Sequence, residues 1–234
     1  MKQEIIHIDF MDNLLKGPSI SKHDKPSKLM IMLHGYGDNA ANFMHLAQPI
    51  DLDSWGMHYV SLNAPSIIPG NMMGYQWFDL YPGGVYISDA SAKEYELVNK
   101  EIELSVLKLK DTINFYLAKL NLTMNDCFVM GFSQGGIITF ELARRMDSRL
   151  AGIGIFSGRI IEKNEKSNPF LQKTPIFISH GSKDDIIPLF KFENSVTYLK
   201  NNNYTFESHL MDGDTHTISP NTINLFQNFI KKNI

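Results

Sequence analysis

Only one of the 234 residues is a cysteine, Cys127. An intramolecular disulfide is excluded, and the chain is compatible with a reducing compartment. Charge of neither sign is in surplus: 22 basic residues against 25 acidic ones leave a formal net charge of −3. Without a basic block to neutralise a run of phosphates, nucleic acid is not an expected partner. Nowhere do 18 apolar residues follow one another, which excludes a helical membrane span, and Met1-Lys2-Gln3-Glu4 does not open a signal peptide. The expected location is the cytoplasm. A His-rich tract, a cysteine pair, a His-Glu-x-x-His string, a dinucleotide fingerprint and a phosphate-binding loop are all missing. No metal and no cofactor are therefore expected. Internal repeats, low-complexity segments and a dividing linker are missing too.

What is present is an apolar fraction of 43%, enough for one sizeable core and one α/β domain over residues 1–234. Its organising stretch is Val129-Met130-Gly131-Phe132-Ser133-Gln134-Gly135-Gly136. An apolar run from Cys127 leads into it, and a helical period (Ile137, Ile138, Phe140, Leu142, Met146) follows at once. Strand, sharp turn and helix put Ser133 at the corner, with glycines where strand and helix nearly touch. A Gly-x-Ser-x-Gly string alone arises by chance in roughly one chain in ten of this length, so the weight falls on its surroundings.

Around it, strands alternate with helices. Ile5, Ile6, Ile8 and Phe10 suggest a first strand, and the turns before the next occupy 17–28. Residues 29–33 read as a strand covered on both faces, 57–62, 152–156 and 175–179 as further strands, and 205–210 as the last. Residues 94–120 carry a stripe at Val98, Ile102, Val106, Leu109, Ile113, Tyr116 and Leu120, the spacing of a core-facing helix. Shorter helices are expected near 42–48, from Pro188, which suits a first turn, and from Ser219-Pro220, a cap followed by an N1 proline. A mainly parallel central sheet flanked by helices on both sides follows, with ligands at the carboxyl ends of its strands. Residues 63–93 show no period yet hold Pro65, Pro69, Tyr75, Trp77, Phe78, Tyr81 and Tyr86. So long a connection suggests the wall of an apolar acyl pocket, with a small extra sheet or a surface excursion as the plainer reading. Residues 157–174 read as a polar connection with a charged, solvated centre at 162–166.

The chemistry-bearing residues fall at the carboxyl edge: the loop of His34, Gly35 and Tyr36, then Ser133, Asp184 and His216, each after an expected strand. Serine, aspartate, histidine is the chain order of α/β-hydrolases. A serine hydroxyl is a weak nucleophile at its free pKa, so a neutral imidazole must take its proton, help worth about 10²–10⁴ in rate. Among eight histidines, His216 fits best, on a loop beyond the last strand. Asp184 would fix its tautomer, with Asp185 as the rival that spacing alone does not exclude. The amide of Gln134, at a helix start, and one from the loop after Leu33 would hold the oxyanion.

The strings Leu33-His34-Gly35-Tyr36-Gly37-Asp38, Trp77-Phe78-Asp79, Gly131-Phe132-Ser133-Gln134-Gly135-Gly136, Leu150-Ala151-Gly152 and His180-Gly181-x-x-Asp184-x-x-Ile187-Pro188 resemble the phospholipase/carboxylesterase family that includes the acyl-protein thioesterases. The resemblance implies an α/β-hydrolase fold without a separate cap domain. It also implies a triad of Ser133, Asp184 (over Asp185) and His216, and oxyanion amides of Tyr36 and Gln134. Gly74-Tyr75-Gln76-Trp77-Phe78 looks more like the bacterial carboxylesterase branch and implies Trp77 near the acyl groove. Tyr36 and Ser182 depart from the pattern, where leucine and an acidic residue are common. The implied partner is a small-molecule or lipid acyl ester or an S-acylated protein, and a homodimer is compatible with the family. A lysophospholipase, an amide or lactone hydrolase with the same triad, and a non-catalytic binding protein are the alternatives.

Overall fold

The structure, a computed structural model, describes residues 13–52, 55–161 and 168–234. The expected first strand at Ile5 to Phe10 and the charged segment at 162–166 lie outside them. Nine strands are described: β1 (Ser19–Ser21), β2 (Lys28–Leu33), β3 (Met57–Leu62), β4 (Ser66–Ile68), β5 (Asn71–Gln76), β6 (Cys127–Phe132), β7 (Gly152–Phe156), β8 (Ile176–Gly181) and β9 (Phe206–Met211). The α-helices are α1 (Ala40–Phe43), α2 (Ala47–Ile50), α3 (Ala92–Leu120), α4 (Gln134–Ala143), α5 (Pro169–Gln172), α6 (Leu189–Asn201) and α7 (Pro220–Asn233).

Seven strands form one sheet in the order β1-β3-β2-β6-β7-β8-β9. Only β1 runs antiparallel to its neighbour. The strands between the edges are continuous apolar runs because both faces are covered, and alternate side chains enter opposite cores. Leu29, Ile31, Leu33, Val129, Ile153, Ile155, Ile176 and Ile178 pack with the buried faces of α3, α4 and α6. Met30, Met32, Phe128, Met130 and Phe177 pack with α1, α2 and α7. Gly152 and Gly154 leave space on that second face for the rings of Phe229 and Phe226, which a Cβ would crowd.

Helix α3 matches the stripe read from the sequence, and a Ser91–Glu94 capping box fixes its start. Pro220 stands in the first turn of α7 behind the Ser219 cap, as expected. Pro188 is the residue before α6, not a member of its first turn. Within 63–93 lies a two-stranded antiparallel sheet, β4–β5, so the plainer reading of that segment holds for its first half. The polar connection at 157–174 also contains α5, started by the Asn168 side chain, which accepts from the Phe170 and Leu171 amides. Among the described residues no helix is long and apolar enough to cross a membrane.

Candidate active site

Ser133, between β6 and α4, has φ 53° and ψ −115°, a region that costs a residue with a side chain about 1–3 kcal/mol. Its surroundings impose that conformation. The Ser133 amide donates to Phe156 O (2.8 Å) and its carbonyl accepts from Ile137 N (3.2 Å). A Cβ on Gly131 would collide with the Gly135 carbonyl, and one on Gly135 with the carbonyls of Leu33 and His34. The ends of β2 and β6 and the start of α4 thus meet at one point, and only glycine fits there. Helix α4 begins with Gln134 directly after the serine, so its unpaired first amides and positive dipole end adjoin the Oγ.

The loop after β2 lies against this corner: a Cβ on Gly35 would be 3.4 Å from that of Ser133. His34 is fully buried. Its Nδ1 donates to Gly35 O (2.7 Å) and its Nε2 accepts from Ala64 N (3.1 Å), which fixes one neutral tautomer. Burial lowers its pKa. Gly37 N donates to Tyr75 O (3.0 Å) and Tyr75 N to Asp38 O (2.9 Å), so the end of β5 holds the Tyr36 turn.

Trp77 departs from its expected place beside an acyl groove. Its side chain is 1% exposed, its Nε1 donates to His34 O (2.9 Å) and its amide donates to the Gln134 Oε1 (2.9 Å). Gln134 Nε2 donates in turn to Phe78 O (2.7 Å). Trp77 therefore braces the two segments that carry the Tyr36 and Gln134 amides. The physical reason is its indole N–H, which needs a buried acceptor and finds the His34 carbonyl.

On the other side, the Asp184 carboxylate is fully buried, whereas Asp185 is exposed. Asp184 Oδ1 accepts from the amides of Ile186 (3.0 Å) and Ile187 (2.8 Å), and its Oδ2 accepts from His216 Nδ1 (2.7 Å). The His216 ring is 16% exposed and lies 4.7 Å from the ring of Phe132, the neighbour of Ser133. Phe132 thus brings the serine corner and the histidine loop into contact, and no hydrogen bond among the described residues joins Ser133 to His216.

Two residues of this site carried no periodic or spacing signal of their own. Ser182 Oγ donates to Asp212 Oδ1 (3.2 Å) and accepts from Gly213 N (2.8 Å), clamping the Asp184 loop to the His216 loop. His180, fully buried and stacked 5.4 Å from Phe192, donates from Nε2 to Ile187 O (2.8 Å), 3.5 Å from Asp184 Oδ2. Burial lowers its pKa and keeps it neutral. Cys127 is buried as expected, and desolvation raises its thiol pKa far above the ordinary range. His209 stacks 5.0 Å from Phe177 and belongs to the sheet edge. No group of three or more His, Cys, Asp or Glu side chains among the described residues is placed to hold a metal ion.

Comparison with known proteins adds the lineage. Residues 18–234 match the family model described as phospholipase/carboxylesterase. A probable carboxylesterase of Oryza sativa subsp. japonica is 24% identical over 94% of this chain and 83% of its own. Acyl-protein thioesterase 1 of Debaryomyces hansenii is 26% identical over 94% of this chain and 97% of its own. In three dimensions the chain resembles esterase PE8, with a TM-score of 0.79 and 24% identity over 94% of this chain and 100% of that one. It likewise resembles the Bacillus cereus carboxylesterase, with a TM-score of 0.77 and 17% identity over 97% and 99%. The sheet order, the strained serine after β6 and the match over nearly the whole length lead to one assignment: the chain belongs to the phospholipase/carboxylesterase family.

Proposed function

We propose that this protein hydrolyses carboxylic esters or thioesters through a triad of Ser133, His216 and Asp184. The observation that carries the reading is the 2.7 Å bond from His216 Nδ1 to a fully buried Asp184 carboxylate, beside a serine held at positive φ. With Nδ1 committed to Asp184, Nε2 is the ring atom left to accept a proton. In the proposed reaction Ser133 Oγ attacks the acyl carbonyl while its proton passes to Nε2. The carbonyl oxygen becomes an oxyanion that the amides of Tyr36 and Gln134 receive. Collapse of the intermediate breaks the ester or thioester bond, and the imidazolium returns its proton to the leaving alcohol or thiol. Water then attacks the acyl-serine with the same help and frees the acid. Two facts of the site support this cycle: Asp184 accepts two amide hydrogens besides the imidazole, which fixes its orientation, and the brace through Trp77 and Gln134 ties both oxyanion segments together.

The test is covalent labelling by a fluorophosphonate probe together with turnover of nitrophenyl esters and one acyl thioester. Wild-type protein should label and turn over, and Ser133→Ala should lose both. Turnover retained by Ser133→Ala, or wild-type protein that neither labels nor hydrolyses, refutes the reading.

A further inference from the structure

A cleft of about 480 Å³ lies between the segment after the short sheet and the start of α6. It shares walls with the candidate site on both sides. On one side, ring contacts run from Tyr36 to Tyr81 (6.2 Å) and from Tyr81 to Tyr86 (5.7 Å), linking the Tyr36 turn to the rim of the cleft. On the other, the cleft is lined by Ile186 and Ile187, whose amides hold Asp184. Arg159 enters from the strand end next to the serine: it follows Gly158, where a Cβ would be 3.1 Å from Ser133 O.

The lining is of two kinds. Tyr86 (42% exposed), Ile186 (60%) and Phe190 (51%) offer apolar surface. Arg159 and Lys191 are both half-buried in the lining, and among the described residues neither has an acidic partner. Lys191 Nζ lies 5.0 Å from the Phe190 ring centroid, a cation resting on an aromatic face. Among the described residues no Asp or Glu lines the cleft. Two cations without counter-ions among the described residues, partly withdrawn from water beside greasy walls, match an amphiphile that brings an anion with it. A purely apolar chain would leave both cations desolvated and unpaired.

We propose that the ester substrate carries an anionic group, a carboxylate or a phosphate, separated from the scissile carbonyl by an apolar segment, and that Arg159 and Lys191 bind that group in this cleft. The proposal rests on Ser133 being the nucleophile and adds the substrate class. The anion can sit on the acyl side or on the alcohol side, and two matched pairs separate the cases. One pair is the nitrophenyl half-ester of decanedioic acid against nitrophenyl decanoate. The other is 10-acetoxydecanoic acid against decyl acetate.

In at least one pair kcat/KM should favour the anionic member by about fivefold, the upper end of the scale for a partly exposed charge contact. The preference should shrink as salt is added. In the double variant Arg159→Gln, Lys191→Gln the ratio should fall to near one, and Arg159→Lys should keep part of it. Absence of a preference in both pairs, or a preference unchanged in the double variant, overturns the proposal. Should no ester be hydrolysed at all, the reading of Ser133 fails on its own. Calorimetry then judges the cleft: decanedioate or decyl phosphate binding more tightly than decanol, with the difference lost in the double variant, upholds it, and equal binding refutes it.

Discussion

A carboxylate that accepts three hydrogens has little freedom to do anything except orient a ring, and Asp184 accepts from two amides and His216. Asp184→Asn keeps the shape but puts an amide where the imidazole needs an acceptor, so His216 adopts the wrong tautomer. A loss of roughly 10⁴ in kcat with an unchanged fold is expected from steady-state kinetics. Tyr36 separates backbone from side chain. Its proposed contribution is the amide, so Tyr36→Phe should alter kcat little, while Tyr36→Pro removes the donor and should lose about 10²–10³. Equal effects of the two substitutions would show that the phenol, not the amide, matters.

The elements that meet at Ser133 are set by carbonyl contacts where a side chain cannot fit. Gly135→Ala pushes a methyl into the carbonyls that close β2 and should destabilise by about 3 kcal/mol, read as a lowered urea midpoint. Labelling should fall with it, because separating β2 from α4 moves both oxyanion segments. Helix α7 offers a contrast within the same fold. Phe226 is fully buried and packs on Phe156 (4.9 Å), Phe177 (5.2 Å) and Phe229 (5.9 Å), on the face of the sheet that α1 and α2 also cover. Phe226→Ala should cost about 3–5 kcal/mol. At temperatures where the variant stays folded, kcat should hardly change. A large change in kcat under those conditions would show that the second face communicates with the site.

At the scale of the whole molecule, three histidines among the described residues are tuned in one direction. Burial lowers the pKa of His34, His58 and His180 from the ordinary 6.5. Below that value the unfolded chain binds protons that the folded chain refuses, so unfolding is favoured as pH falls. Their contribution to stability is complete above about pH 6.5 and is lost progressively toward the lowered folded-state values. The urea midpoint should therefore drop between pH 7 and pH 5. His58→Phe should flatten part of that slope, since the half-buried His58 also feels the cation of Lys119. A midpoint that rises on acidification would contradict the assignment of these rings as neutral.

Much of this architecture was legible in one dimension because both faces of the sheet are covered. Continuous apolar runs at β2, β6 and β7, a three-and-four stripe in α3 and cap residues before α7 are local consequences of burial and backbone chemistry, and they put Ser133, Asp184 and His216 each just after a strand, β6, β8 and β9. Residues 63–93 were less legible. Two short strands closing on each other at Ser66–Ile68 and Asn71–Gln76 are too brief to show a period. The place of Trp77 beside an acyl groove came from family resemblance, and its aromatic character says nothing about which side of it is covered. The choice of Asp184 over Asp185 came from family resemblance, because neighbouring side chains differ only in direction. The composition and pattern of the chain determined its layers and the edge where its chemistry gathers. Tertiary structure alone decided which oxygen meets which nitrogen, since side-chain direction, burial and the Ser182 and Trp77 braces depend on segments far apart along the backbone.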